Sequence, residues 1–421
     1  MTVSTGRALA RRGKPRRVLM IVENLPVPFD RRVWSQARTL ARAGYDVSVI
    51  CPKGRGADSA YEVLDGIHVY RHPLPIEAKG ILAYPLEYSS ALIFELWLAF
   101  RIFSARGFDV IHACNPPDTI FLIGGLFKLL FGTRFIFDHH DINPELYEAK
   151  FGRRDIFWRL LAWLERMTFK TADVSIATNG SYRRIAIERG GMAPGNVFVV
   201  RSGPDLNRME ILPPRAELKQ GRTHLVGYVG VIGQQEGIDL LLHAVRAVVR
   251  DHGRHDIHFG IVGGGPSLRD MQALAARLEV SGYVTFTGRV PDREMLEMLN
   301  TADVCVNPDR VNAMNDKSTM NKIMEYMALG KPIVQFELEE GRVSAGEASL
   351  YARPNDPKDL AAKIIALVDD PERRAAMGTY GRERVLDSLS WEHEAPKLLA
   401  AYDAVFDAPG AVPAPKPRHA E

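Results

Sequence analysis

The sequence predicts an α/β protein of two Rossmann-like, doubly wound domains, and three observations predict it. Apolar runs of strand length alternate with amphipathic runs of helix length along nearly the whole chain. The alternation falls into two series, separated at 204–224, where Pro213, Pro214 and Gly221 break a stretch with little periodicity. At 421 residues the chain is also long for a single core.

In the first series strands are expected at 17–22, 46–51, 110–112, 134–138, 174–178 and 197–201. The first helix is expected over 30–43, with Val33, Ala37, Leu40 and Ala41 on one apolar face and Gly44 ending it. The second series places strands at 225–229, 258–262, 284–287, 304–307 and 332–336, each followed by a turn and a helix-like run. The resulting division is a basic arm at 1–16, an N-terminal domain at 17–206, a C-terminal domain at 207–389, a helix at 390–407 opening at Ser390 and Trp391, and a tail at 408–421. Four prolines and Gly410 mark that tail as disordered.

Charge excludes little and steers the rest. Lys and Arg number 54 against 51 Asp and Glu, which gives no reason to expect nucleic acid. The arm is the exception: Arg7, Arg11, Arg12, Lys14, Arg16 and Arg17 are unopposed by any acid and could touch anionic lipid. Cys51, Cys114 and Cys305 stand far apart in apolar contexts, as buried thiols of a reducing compartment do. No secretory signal is evident, so a cytoplasmic protein is expected. The apolar segments 80–103 and 119–137 carry internal charges and read as core helices and strands rather than membrane spans. The run 155–170 mixes large apolar residues with Arg159, Arg166 and Lys170, which fits either a core helix or one lying on a membrane surface.

Open α/β sheets bind ligands at the carboxyl ends of their strands. Polar residues cluster there, at 24–32, 115–118, 139–141, 230–237, 263–266, 288–290 and 309–325, as two rims expected to enclose a cleft. The most informative stretch is 315–334. Ser318 or Thr319 can cap a helix whose first N–H groups point at an anion, Lys322 adds positive charge, and Glu325 lies one turn in. Gly330, Lys331 and Pro332 stop the helix before a buried strand. Phosphate at a helix N-terminus beside a carboxylate that accepts from ribose hydroxyls is a sugar-nucleotide site, although an ordinary capped amphipathic helix has the same signature.

Other motifs narrow the chemistry. Gly263, Gly264, Gly265 and Pro266 follow a strand and precede a helix over 267–278, as a phosphate-binding turn would. Leu268 stands where a dinucleotide fingerprint needs its third glycine, which disfavours a dehydrogenase, and the Walker pattern is missing too. Asp138, His139, His140 and Asp141 close a strand; neighbours there point in opposite directions, so at most two could share a metal, and contacts to a substrate hydroxyl fit better. Asp-x-Asp occurs nowhere, so a leaving diphosphate would rely on helix N-termini, backbone N–H groups and cations, with Lys322 the leading candidate.

With these residues in view the chain resembles the retaining glycosyltransferases of family 4, on the GT-B fold. The resemblance covers nearly the whole ordered chain, through Pro28 to Trp34, Leu40 to Val49, His112 to Asp118, Asp138 to Asp141, Gly227 to Gly230, Gly263 to Pro266, Phe286 to Val290 and Glu325 to Pro332. It implies a bacterial polysaccharide-type transferase working from a nucleotide-sugar donor onto a glycan or lipid-linked acceptor. It implies no metal, no further cofactor, and a C-terminal helix crossing back to the N-terminal domain.

Residue by residue, Glu325 matches the glutamate on the donor ribose, and His140 with Asp141 the pair near the reacting sugar. Arg289 and Val290 match the nucleobase loop. The turn 26–32, with Arg31, matches the loop over the diphosphate. Gly233, Met320 and Asn321 fall on the donor side, and Asn115, Asp118 and His139 on the acceptor side.

The departures concern charge. Lys317 stands where the family has a first glutamate, and Val231 and Glu236 where it has Arg and Lys. Each lost charge-assisted hydrogen bond is worth about 1.5–3 kcal/mol. Lys322, with Lys317 or Arg31, is expected to compensate, and Asp316 or Ser318 to meet the donor sugar. The alternatives are a catalytically silent nucleotide-sugar-binding subunit and a sugar-nucleotide epimerase or a phosphorylase on the same fold. Attachment to the inner face of the cell membrane completes the expectation.

Overall fold

The structure, a computed structural model, describes residues 15–54, 56–73 and 84–407. Most of the basic arm, the tail 408–421 and the start of the apolar segment 80–103 lie outside the described residues. An eight-stranded sheet is formed by β1 (Arg17–Ile21), β2 (Asp46–Pro52), β3 (Tyr61–Leu64), β4 (Ile67–His72), β5 (Val110–Cys114), β6 (Arg134–His139), β7 (Val174–Ala177) and β8 (Val197–Val199). Its order is β3-β4-β2-β1-β5-β6-β7-β8, with β3 antiparallel to β4. A six-stranded sheet follows, with β9 (His224–Val229), β10 (Ile257–Val262), β11 (Val284–Gly288), β12 (Val304–Asn307), β13 (Ile333–Phe336) and β14 (Ser349–Ala352). Its order is β11-β10-β9-β12-β13-β14, parallel throughout.

Numbered from its first strand, the second sheet runs 3-2-1-4-5-6. Its direction therefore reverses between β9 and β12, where helices leaving the two strands pack on opposite faces and open a crevice. Both faces are covered. Val226, Tyr228, Val304 and Val306 join a cluster with Leu241, Leu242 and Ile364, while Leu225, Cys305 and Ile333 join another with Ile323, Met324 and Met327. The expected α/β class and doubly wound parallel sheets are thus the observed ones.

The sequence reading passed over two features. The hairpin β3–β4 turns at Asp65 (φ 49°) and Gly66 (φ 80°), and Asp-Gly between β-branched and aromatic runs is the usual signal for such a turn. Strand β14 lacks any comparable signal and is specified by pairing with β13.

Compact packing divides the chain into two units. One holds the residues up to Asp138, Met167–Ser175 and those from Tyr402; the other holds His139–Arg166 and Ile176–Ala401. The final helix, Trp391–Asp407, contributes to both.

In the first unit Asp138, at the end of β6, is the polar hub. It accepts from Arg32 (2.8 and 3.2 Å) and Gln36 (2.7 Å), and His112 Nε2 lies 3.4 Å away. His112 Nδ1 in turn meets the Tyr402 hydroxyl at 2.8 Å. His112, Cys114 and Asp138 stand close enough to hold a metal. The buried Arg32 guanidinium on Asp138 already supplies the positive charge there, its pKa held up by Asp138 against the opposing effect of burial.

Helix Tyr84–Ala105 buries Glu95 completely, and among the described residues neither carboxylate oxygen has a hydrogen-bond partner. Burial pushes that carboxyl up to about 8. Among the described residues no helix is long and apolar enough to cross a membrane.

Two predictions rest on this architecture. An acid whose folded pKa is raised binds more protons folded than unfolded, so stability falls as pH rises from the ordinary glutamate range toward 8, by about 1.4 kcal/mol per pH unit. Urea unfolding at pH 6 and 8 should show this slope in the wild type and its loss in Glu95→Gln. At Gly263, φ is +141° and a Cβ would lie 1.8 Å from the Gly230 carbonyl oxygen. Gly263→Ala should therefore cost about 2–4 kcal/mol in the same assay, whereas Gly282→Ala, whose Cβ meets nothing within 4 Å, should change little.

Candidate functional site

The six parallel strands of the second sheet end on one edge, and the polar residues of that edge are built around the switch between β9 and β12. The chain leaves β9 into the loop 230–237, which passes beside the turn after β10. Ile232 N donates to Gly264 O (3.0 Å) and Ser267 N to Ile232 O (2.9 Å). A Cβ at Gly265 would fall 2.4 Å from Ile232 O. The glycines of 263–265 thus let two loops meet backbone to backbone.

Beyond β12, Asp309 is buried and receives Lys322 Nζ at 2.8 and 2.9 Å. Lys322 also lies 5.1 Å over the Tyr228 ring, a contact that adds to the stabilisation of a desolvated ammonium. Burial works against that charge, but Asp309 overcomes it and Lys322 is held above its ordinary pKa. Glu236 comes close too: a Cβ at Gly233 would sit 2.7 Å from its Oε2. Its carboxyl is pushed up by burial and by Asp309.

Lys322 is expected to meet the donor diphosphate. It reaches the expected edge, but its charge is matched by Asp309 with a second acid alongside. Val231, in the place of a family cation, is exposed.

Helix Asn321–Ala328 starts after Met320, and no side chain caps it. Ser318 and Thr319 do not serve as the cap. Ser318 Oγ donates to Met314 O (2.8 Å) and lies 3.1 Å from the Tyr182 hydroxyl; Thr319 Oγ1 accepts from Asn179 (3.0 Å). Asn321 is exposed at the helix start, and Glu325 is half-buried one turn on. Tyr326, which the sequence reading missed, accepts from Val229 N (2.9 Å) and donates to Val306 O (3.3 Å), joining the ends of β9 and β12. Its only sequence signal was an aromatic on the apolar face. Arg289 is exposed after β11, and Val290 packs against the cluster containing Ile323 and Met324.

Asp316, expected near the donor sugar, accepts from Glu339 N at 2.8 Å through Oδ1. Lys317 has a carboxylate beside it after all. Its carbonyl accepts from Asn179 Nδ2 (2.8 Å) and its ammonium lies 3.7 Å from Glu145.

Glu145 belongs to a buried network with Arg189, which binds it at 2.7 and 3.1 Å and Glu165 at 2.5 and 2.8 Å. Glu165 ends 3.3 Å from His139 Nε2. Burial opposes the Glu165 charge, and His139 and Arg189 outweigh it to hold the carboxyl below its ordinary range. His139 is fully buried, with its ring 5.0 Å from that of Tyr182. It is a member of this network and not an exposed acceptor contact. His140 and Asp141 are the half-buried members of the motif, and Asp141 adds to the effect of burial in raising the Tyr182 hydroxyl pKa.

Three expected residues lie in the first unit. Arg31 is the exposed first residue of helix Arg31–Arg42. Asn115 and Asp118 are buried and turned on each other, Nδ2 to Oδ1 at 2.9 Å.

Comparison with known proteins places this geometry in a class. Residues 30–208 match the family described as Glycosyltransferase Family 4, and residues 223–370 the family described as Glycosyl transferases group 1. Together with the GT-B architecture they define a protein of the glycosyltransferase family 1/4 type. Among curated relatives, a 2-deoxystreptamine glucosyltransferase of Streptomyces kanamyceticus is 29% identical over 59% of this chain and 62% of its own length. A D-inositol 3-phosphate glycosyltransferase of Corynebacterium jeikeium is 26% identical over 57% of this chain and 59% of its own. The chain thus spans about three-fifths of the length of these two.

An MMP alpha-(1->4)-mannosyltransferase of Mycolicibacterium hassiacum matches further, at 24% identity over 87% of this chain and 92% of its own. The fold is shared with sucrose-phosphate synthase of Thermosynechococcus elongatus, with TM-score 0.77, 19% identity, and 93% of this chain and 99% of that one covered. It is also shared with Anabaena HepE in complex with UDP-glucose, with TM-score 0.70, 14% identity, and 92% and 99% covered.

The buried pair has a direct test. Lys322→Met leaves Asp309 buried without its partner and should cost about 3–5 kcal/mol of stability, whereas the double variant Lys322→Met/Asp309→Asn should recover most of it. Guanidinium unfolding of the two proteins measures the difference.

Proposed function

We propose that the chain is a retaining glycosyltransferase that moves a sugar from a nucleoside-diphosphate sugar to a glycan or lipid-linked acceptor, in the synthesis of a surface polysaccharide. The observation that carries the reading is the C-terminal edge of the 3-2-1-4-5-6 sheet. There the helix Asn321–Ala328, which carries Glu325, and the loop 230–237 follow the two strands that flank the switch, and Arg289 follows β11 on the same edge. Glu325 would hold the ribose, and Arg289 and Val290 the base. The N–H groups that open the helix, beside Met320 and Asn321, would hold the diphosphate. His140 and Asp141 would face the reacting sugar.

The UDP-glucose held by Anabaena HepE supports a nucleotide-sugar donor, and the relatives' names leave the acceptor open, since two of them name 2-deoxystreptamine and D-inositol 3-phosphate. No metal is invoked: the departing phosphate takes the acceptor's proton, and the fixed dipoles of the edge stabilise its charge.

A second reading, a silent nucleotide-sugar-binding subunit, is favoured by one observation. Lys322 is already paired with Asp309, and Glu236 adds a carboxyl where the diphosphate would lie.

Incubation with UDP-, GDP- and dTDP-sugars separates the two. A transferase releases nucleoside diphosphate only with an acceptor and retains the anomeric configuration in the product, read by NMR. Glu325→Gln and His140→Ala should each lower that release by about a hundred-fold or more. Donor binding without release under any acceptor would establish the silent subunit instead.

A further inference from the structure

The helix Ile156–Thr171 leaves four of its large apolar side chains facing water. Ile156, Phe157, Leu160 and Trp163 are 69%, 47%, 49% and 52% exposed, and their spacing of i, i+1, i+4 and i+7 sets them on one face. The opposite face holds Glu165, Thr168 and Phe169, all buried, with the carboxylate matched by Arg189 and His139. A helix that packs its apolar face on a core shows the reverse pattern. Phe151, exposed at the end of helix Asn143–Phe151, extends the surface through Tyr147, whose ring lies 4.7 Å from that of Phe151 and 6.4 Å from that of Phe157.

The charge around this face is mainly positive, with Arg154 matched by Glu148 at 2.8 Å. Between 150 and 170 there are six basic residues and two acids. Of the acids, Glu165 is buried and Asp155 is paired with Arg153 at 2.9 Å. Arg159, Arg166 and Lys170 recur at i, i+7 and i+11 and so line one edge of the apolar stripe, exposed.

We propose that this face docks the protein on an anionic lipid bilayer. Ile156, Phe157, Leu160 and Trp163 enter the headgroup boundary, and Arg159, Arg166 and Lys170 meet lipid phosphates. A row of cations beside aromatic and aliphatic side chains matches a bilayer surface, which is apolar below and negative above. It matches a second copy of this chain poorly, because the same basic rows would then approach each other. The helix, about 24 Å long at 1.5 Å per residue, lies along the surface and does not span it. The docking deepens the reading of a lipid-linked acceptor and rests on it for its purpose, since the acceptor would be met at the same surface.

The test uses the full chain sedimented with vesicles of pure phosphatidylcholine or of phosphatidylcholine mixed with phosphatidylglycerol. Binding should favour the mixed vesicles and weaken with salt. Ile156→Glu/Leu160→Glu should reduce it by about ten-fold or more, and Arg159→Glu/Arg166→Glu should remove the preference for phosphatidylglycerol. The melting temperature and nucleotide release with a soluble acceptor should stay at wild-type values, because none of the four residues belongs to the donor edge.

The proposal is overturned if the wild type does not sediment with mixed vesicles, or if both double variants bind as it does. It is also overturned if the variants dissolve a dimer in light scattering while vesicle binding is unchanged. A protein that docks but releases no nucleotide keeps the surface and loses the transferase reading.

Discussion

The buried ion pair of Lys322 with Asp309 is the interaction on which the donor-side edge depends. An ammonium and a carboxylate taken out of water each carry a desolvation cost of several kcal/mol, and only close pairing with further polar contacts offsets it. Here two contacts of 2.8 and 2.9 Å and the face of Tyr228 meet that requirement. The pair ties the end of β12 to the first turn of helix Asn321–Ala328, and Tyr326 ties the same helix to β9. Loop 309–319 is held from both sides, with Asn315 donating to Gln235 O and Arg310 O.

This arrangement changes the electrostatic account of the edge. Family resemblance led to the expectation that Lys322 would replace two missing cations, but a lysine matched by Asp309 and flanked by Glu236 adds little net positive charge. The attraction for a diphosphate then falls on backbone N–H groups and the helix dipole. Those groups are fixed in place and keep their polarity at any pH. The same transposition recurs at Lys317, where a carboxylate arrives from Glu145 on a different helix.

Much of the fold was legible in the sequence because parallel strands buried on both faces leave continuous apolar runs, as β9, β10 and β12 do. The hairpin β3–β4 was legible through Asp65 and Gly66 and was passed over. The site was legible only as far as the edge. That His140 follows the end of a strand and Glu325 lies one turn into a helix follows from their motifs. That His139 and Asp316 are engaged internally does not, because Glu165 and Glu339 reach them from more than twenty residues away in sequence, a separation that no local pattern encodes; the pairing of Asn115 with Asp118 is local, three residues apart, and was open to a closer reading. The helix Ile156–Thr171 shows the same limit: its sequence is amphipathic, but only burial of Glu165 reveals which face looks outward.

The most direct test of the donor-side account is a crystal structure with a bound nucleoside diphosphate. The account predicts the diphosphate on the N–H groups that open helix Asn321–Ala328, the ribose on Glu325, and Lys322 still within hydrogen-bond distance of Asp309. A nucleotide bound away from the C-terminal edge of the six-stranded sheet, or a Lys322 turned from Asp309 onto phosphate, would contradict it.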